Sequence, residues 1–182
     1  MKLAAERAAR RLAPGEAAAR LEALKAPAAL PAQPELKPEA RLEAAAVERA
    51  AGVVAFKAGD HAQAVVRFEA GVALFTPMPA DFLAEGADFN ASDVQLGCLL
   101  NIAACQLRLE QPLKAIAACD LATALDEKSV KAWFRRGQAC LALGQVDAAR
   151  KDLTRACQLA PSSREIRDEL EKCKRVGAPK FI

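Results

Sequence analysis

Aromatic residues and histidine are scarce in this sequence. Its 182 residues include no tyrosine, one tryptophan and one histidine, and the formal net charge is only +3. No basic run with interleaved aromatic residues occurs, which makes nucleic acid an unfavourable partner. The longest uncharged helical stretch, residues 94–107, is shorter than the roughly 20 residues that span a bilayer. We therefore expect neither a nucleic-acid-binding protein nor a membrane span.

The sequence also lacks the motifs of catalysis and of metal or cofactor binding. No phosphate-binding loop, catalytic triad spacing or zinc-type cysteine spacing occurs, so we expect no enzyme activity, no cofactor and no metal. His61 falls in a predicted hairpin turn, where a solvent-exposed position is expected. We expect aspartates and glutamates to be solvated helix-surface charges. The cysteines form no CxxC pair, and we expect free thiols packed as small core residues.

The N-terminal 38 residues differ in composition from the rest. Residues 1–25 are alanine-rich and predict a helical extension, while four prolines in residues 26–38 predict a linker. Three arginines near the start are typical of an organellar targeting segment, although three glutamates argue against one. We expect a cytoplasmic protein, and an organellar location is the alternative.

Alanine, leucine and glutamate dominate the chain and favour helix nearly throughout. A two-helix pattern repeats with the 34-residue period of the tetratricopeptide repeat. Three pairs of small residues are separated by that period: Ala103 and Gly137, Ala115 and Ala149, Ala122 and Ala156. In the last repeat we expect Trp133 and Leu153 to fill the space around the small residues.

The pattern predicts an all-α fold, a superhelical array of three helix-turn-helix repeats plus a C-terminal capping helix. The domain is expected over residues 39–176. Its predicted parts are repeats over about 39–75, 93–125 and 129–159, and a capping helix over 162–176. Residues 76–92 predict a connecting loop with Ser92 or Asp93 capping the next helix, and residues 177–182 a tail.

Candidate binding residues occupy the first helix of each repeat. Asn101 and Arg135 are separated by one period, and Lys131 precedes Arg135 by one helical turn on the same face. The register adds Arg49 and Val53 in repeat one. An amide and cations along one inner wall predict a site for a carboxylate, such as a peptide C-terminus. The alternative is that these cations are ordinary solvated charges.

The run CLLNIAACQLRL, followed by KAIAACDLATALDEKSVKAWFRRGQACLALGQVDAARKDL, resembles the tetratricopeptide domain of the large immunophilins over about residues 40–175. These are prolyl isomerases of the cyclophilin and macrolide-binding types that act as co-chaperones. The resemblance implies a groove that binds the acidic tail, ending EEVD, of the ninety-kilodalton heat-shock chaperone. The family's clamp is Lys, Asn, Asn, Lys, Arg. The corresponding residues here are Arg49, Val53, Asn101, Lys131 and Arg135.

The function expected from the sequence is a non-enzymatic adaptor or co-chaperone-like protein that binds an acidic C-terminal peptide. An alternative is a structural subunit of a large multiprotein assembly, docking through the repeats and the N-terminal helices. A third possibility is the C-terminal part of a longer isomerase.

Overall fold

The computed structural model describes residues 38–75 and 90–177. The predicted N-terminal extension, the linker before residue 38, residues 76–89 of the predicted loop and residues 178–182 of the tail lie outside the described residues. Within the described ranges the chain forms seven helices and no strand. They are α1 (Pro38–Lys57), α2 (His61–Ala73), α3 (Asn90–Arg108), α4 (Pro112–Leu125), α5 (Val130–Ala142), α6 (Val146–Leu159) and α7 (Arg164–Gly177).

Consecutive helices pair into three hairpins, α1 with α2, α3 with α4, and α5 with α6, and α7 packs on the last hairpin. The first helices of the repeats also lie side by side, α1 against α3, α3 against α5 and α5 against α7. This arrangement is that of a helical repeat array with a terminal capping helix. The predicted all-α fold class is confirmed.

Tight turns close the first and third hairpins through residues in the left-handed region. Gly59 has φ +84° and Gly144 has φ +72°, a conformation that glycine adopts without steric cost. In the second hairpin the equivalent residue, one period before Gly144, is Glu110 with φ +56°. Pro112 lies in the first turn of α4, where its missing N–H is not needed.

Complementary residue sizes set the contact between the helices of each hairpin. A Cβ added at Gly52 would lie 2.6 Å from the Phe68 ring, and one at Gly137 would lie 2.8 Å from Cγ of Leu153. Repeat two carries Ala103 and Cys119 at these two places, both fully buried in one cluster. A glycine therefore faces a large side chain, and an alanine faces a small one.

Cysteines contribute substantially to the core. All six are free thiols, five are buried and Cys157 is half-buried. Burial raises the pKa of Cys98 and Cys105 to about 11 and that of Cys119 to about 12. These thiols are consequently neutral at physiological pH, which makes them weak nucleophiles.

Two local predictions are wrong. His61 is not a solvent-exposed turn residue; it is the first residue of α2, half-buried, with its ring centroid 5.0 Å from that of Phe56. The reason is that Asp60 caps the helix by accepting a hydrogen bond from Gln63 N at 2.9 Å. Ser92 and Asp93 do not precede α3 as caps, because the helix already begins at Asn90.

Candidate functional site

Helix α3 lies between α1 and α5 and forms the middle of the wall made by the first helices. Gly97 and Asn101 are four residues apart on α3 and therefore share one face, one turn from each other. The neighbouring helices each direct an arginine toward this part of α3. The turn from residue 97 to residue 101 is the centre of the candidate site.

Arg49 reaches α3 from α1. Its Nη1 lies 3.4 Å, and its Cδ 3.6 Å, from the position that a Cβ at Gly97 would occupy. Both are ordinary van der Waals distances, so the Arg49 side chain packs directly against α3 at this position. Arg49 is exposed, so its guanidinium remains available to a ligand.

Arg135 reaches the same turn from α5. Its Nη1 donates a hydrogen bond of 2.7 Å to the carbonyl oxygen of Leu100, the residue before Asn101. Burial lowers the pKa of Arg135, but a guanidinium keeps its proton in proteins. The hydrogen bond fixes the side chain against α3, and the planar group has further N–H donors that can point into the groove.

Asn101 and Lys131 complete the predicted set. Asn101 is half-buried and Lys131 is exposed. Among the described residues, neither side chain has a hydrogen bond or an ion pair. Their donors are therefore not committed to other groups in the part of the chain that the structure describes. A neutral amide on the turn that two arginines contact, with Lys131 one helical turn before Arg135, is suited to a carboxylate.

Val53 lies one turn after Arg49 on α1 and is half-buried. It packs against the core cluster of the first two hairpins. A valine side chain can offer a ligand apolar contact but no hydrogen bond. This edge of the site consequently lacks the donor that the immunophilin pattern places there.

A second charged cluster was missed by the sequence reasoning. Arg136 binds Asp152 through two hydrogen bonds of 2.8 Å and Asp120 through one of 2.6 Å. These hydrogen bonds and the two carboxylate charges raise its pKa against the effect of burial. Asp152 is only 6% exposed, so the prediction of solvated acids is wrong for this residue. The sequence did contain a signal for this burial: Asp152 lies three residues after Ala149 and four before Ala156, on the helix face that these core residues share.

Trp133 belongs to the same cluster. Its Nε1 donates to the carbonyl oxygen of Glu127 at 2.9 Å, and the Arg136 guanidinium lies 4.5 Å from the ring centroid. The ring is half-buried, so Trp133 does not fill the hairpin interior as predicted, whereas Leu153 is fully buried. Trp133 instead covers a cation that joins α5 to α4 and α6.

The tetratricopeptide repeat family matches residues 130–163, which contain the third hairpin. Together with the helix order and packing, this match defines the helices of residues 38–75 and 90–177 as a tetratricopeptide-repeat array.

Among relatives, the peptidyl-prolyl cis-trans isomerase FKBP4 of Bos taurus is 34% identical over 139 residues, which are 76% of this chain and 30% of the relative. The domain therefore resembles that of the large immunophilins, as predicted. The chain spans about a third of the length of that relative.

Two solved structures are similar to the chain and contain peptides. The first TPR domain of Spaghetti (RPAP3), bound to the HSP90 peptide SRMEEVD, is 28% identical with a TM-score of 0.61 and covers 73% of this chain and 92% of its own. The second TPR domain of human RPAP3, in complex with the HSP70 peptide SGPTIEEVD, is 25% identical with a TM-score of 0.60. This match covers 76% of the present chain and 98% of the RPAP3 domain.

Residues 38–75 and 90–177 contain no helix with the length and apolar character needed to cross a bilayer. In the same ranges no three His, Cys, Asp or Glu side chains are arranged to hold a metal ion.

Proposed function

We propose that this chain is a non-enzymatic adaptor whose groove binds an acidic peptide C-terminus, of the EEVD type found on heat-shock chaperones. One observation carries the proposal: arginines from two different helices, Arg49 and Arg135, meet the same turn of α3 that carries Asn101. Two cations and an amide from three separate helices converge there.

The chemistry of a peptide terminus fits this arrangement. The terminal carboxylate would lie near Arg49 and Asn101, which offer charged and neutral N–H donors. An acidic side chain of the ligand would lie near Lys131 and Arg135. Arg135 is already held by the Leu100 carbonyl, so less side-chain entropy is lost when the ligand binds. The peptides carried by the two RPAP3 domains support this ligand class.

Isothermal titration calorimetry with SRMEEVD tests the proposal. The free-acid peptide should bind, and the same peptide with an amidated C-terminus should bind about tenfold or more weakly, since a hydrogen bond to a charged group contributes about 1.5–3 kcal/mol. Lys131→Ala should weaken the free acid similarly. Lys151→Ala removes an equal charge from an exposed position on α6 and should leave the affinity unchanged. Equal binding of the free acid and the amide would contradict the proposal.

A second candidate is a structural subunit of a large assembly. Two features of α1 favour it: Val53 removes a donor from the groove, and the side chains Val47 and Val54 are 62% and 69% exposed. The two valines are seven residues apart and share one helix face. Affinity capture from native lysate, read by mass spectrometry, separates the candidates, because chaperones should dominate in the first case and one fixed set of subunits in the second.

A further inference from the structure

The wall of first helices continues into α7 with its charge reversed. One period beyond Lys131 and Arg135, the corresponding residues of α7 are Glu165 and Glu169. Helix α7 packs against α5 as well as α6. The two glutamates therefore extend the row of groove positions that Asn101, Lys131 and Arg135 occupy in the preceding helices.

The two carboxylates differ in exposure and in ion pairing. Glu169 is 20% exposed and forms an ion pair of 2.8 Å with Lys172 on its own helix. Glu165 is exposed and has no ion pair within the described residues. Its carboxylate is near enough to Arg135 to oppose, in part, the lowering of that arginine's pKa by burial. Its place one period after Lys131, on a helix packed against α5, puts Glu165 in the row of groove positions.

We propose that Glu165 makes the groove selective for peptides that carry a basic residue upstream of their acidic C-terminus. The inference rests on the proposed function, because it takes the terminal carboxylate to lie near Arg49 and Asn101. From there an extended peptide passes α5 and then reaches α7, where a cation would meet the Glu165 carboxylate.

Helix spacing gives the position of that basic residue. Packed neighbouring helices lie about 8–10 Å apart, so α7 is about 16–20 Å from α3. An extended chain advances about 3.3 Å per residue, so five or six residues cover this distance. The HSP90 peptide SRMEEVD carries arginine five residues before its final aspartate, whereas SGPTIEEVD carries threonine there. We therefore expect the groove to prefer a peptide with arginine at that position, as in SRMEEVD, over one with threonine there.

The test uses the whole chain, SRMEEVD and the same peptide with alanine in place of arginine. The arginine peptide should bind roughly two- to fivefold more tightly at low salt, the effect of one exposed ion pair. Glu165→Gln should bring the ratio close to one, and Glu165→Lys should reverse the preference. Glu171→Gln is the matched control and should preserve the ratio, because Glu171 corresponds to Gly137, which faces its hairpin partner rather than the groove.

The outcomes separate this inference from the proposed function. If both peptides bind equally while amidation still weakens them, the selectivity is wrong and the adaptor function stands. If Glu165→Gln, shown by thermal denaturation to be folded, keeps the full ratio, Glu165 is not the selective residue. If neither peptide binds, or amidation has no effect, both proposals fail.

Discussion

Replacing Val53 by asparagine restores to α1 the side-chain donor that the immunophilin pattern has at this place. One net hydrogen bond to a peptide oxygen contributes about 0.5–1.5 kcal/mol, so affinity for a free-acid EEVD peptide should rise roughly two- to twelvefold. The structure also predicts a cost. Full burial of a valine contributes about 1.5–3 kcal/mol, and Val53 is half-buried against the core, so unfolding free energy should fall by about 1 kcal/mol.

Calorimetry measures the affinity, and urea denaturation measures the stability. Val54→Asn is the matched control. Val54 follows Val53 directly, but its side chain is 69% exposed and points away from the packed face, so this variant should change neither the affinity nor the stability much. The reasoning is refuted if Val53→Asn remains folded and its affinity does not rise. The groove would then not be a carboxylate clamp with one donor missing, and the assembly-subunit candidate would become the stronger one.

Three further predictions concern stability. Glu110→Gly should stabilise the chain by about 0.5–1 kcal/mol in urea denaturation. An L-residue at φ +56° is strained by about 1–2 kcal/mol, and the extra conformational entropy of glycine in the unfolded chain offsets part of the gain from relieving that strain. Gly144→Ala should be destabilising, and a destabilised Glu110→Gly would contradict the argument. Asp152→Asn should lower the unfolding free energy by about 3 kcal/mol, because it leaves Arg136 partly unpaired in a buried site. Asp147 is the control: its side chain is 87% exposed, so Asp147→Asn should cost less than about 0.5 kcal/mol. Equal effects of the two variants would argue against a structural role for the buried pair. A thiol reagent at pH 8 should modify Cys157 first and all six cysteines only after denaturation. Burial raises the pKa of Cys98, Cys105 and Cys140 to about 11 and that of Cys119 to about 12, while unfolded thiols ionise near 9. The unfolded state therefore binds fewer protons in this range, and stability should fall as pH rises through it; a flat profile from about pH 9 to 11 would count against this.

The period of the repeats explains why the fold was predictable. Small residues at 34-residue intervals define both which helices pair and which faces meet, so the hairpins and the capping helix followed from the sequence. The register placed Arg49, Asn101 and Arg135 along one wall, but the particular turn of α3 that both arginines contact could not be predicted, because it depends on how adjacent first helices pack. The hydrogen bond from Arg135 to the Leu100 carbonyl involves a backbone atom, and side-chain identity carries no signal for it.

Errors in the prediction came from judging a residue by its type or by the turn beside it, without its partners in the fold. Asp152 was treated as a surface acid because it is charged, although Arg136 in the neighbouring helix provides two hydrogen bonds for it. His61 was assigned to solvent because it follows a glycine turn, although the capping by Asp60 draws it into the helix beside Phe56. In both cases a partner distant in sequence, or a helix end shifted by one residue, decided the environment.

The matched sizes within each hairpin restrict how the repeats can be exchanged. If α5 packed on α4 in the way that it packs on α6, Gly137 would lie opposite Cys119 rather than Leu153 and leave a void, at a cost that grows by about 24 cal/mol for each Å³ that stays empty. If α3 packed on α2 in the way that α1 does, Ala103 would clash with the Phe68 ring. Helices from different repeats are therefore poor substitutes for each other. Recombination or engineering of this chain should move whole hairpins, and the same mismatch disfavours incorrect pairing during folding.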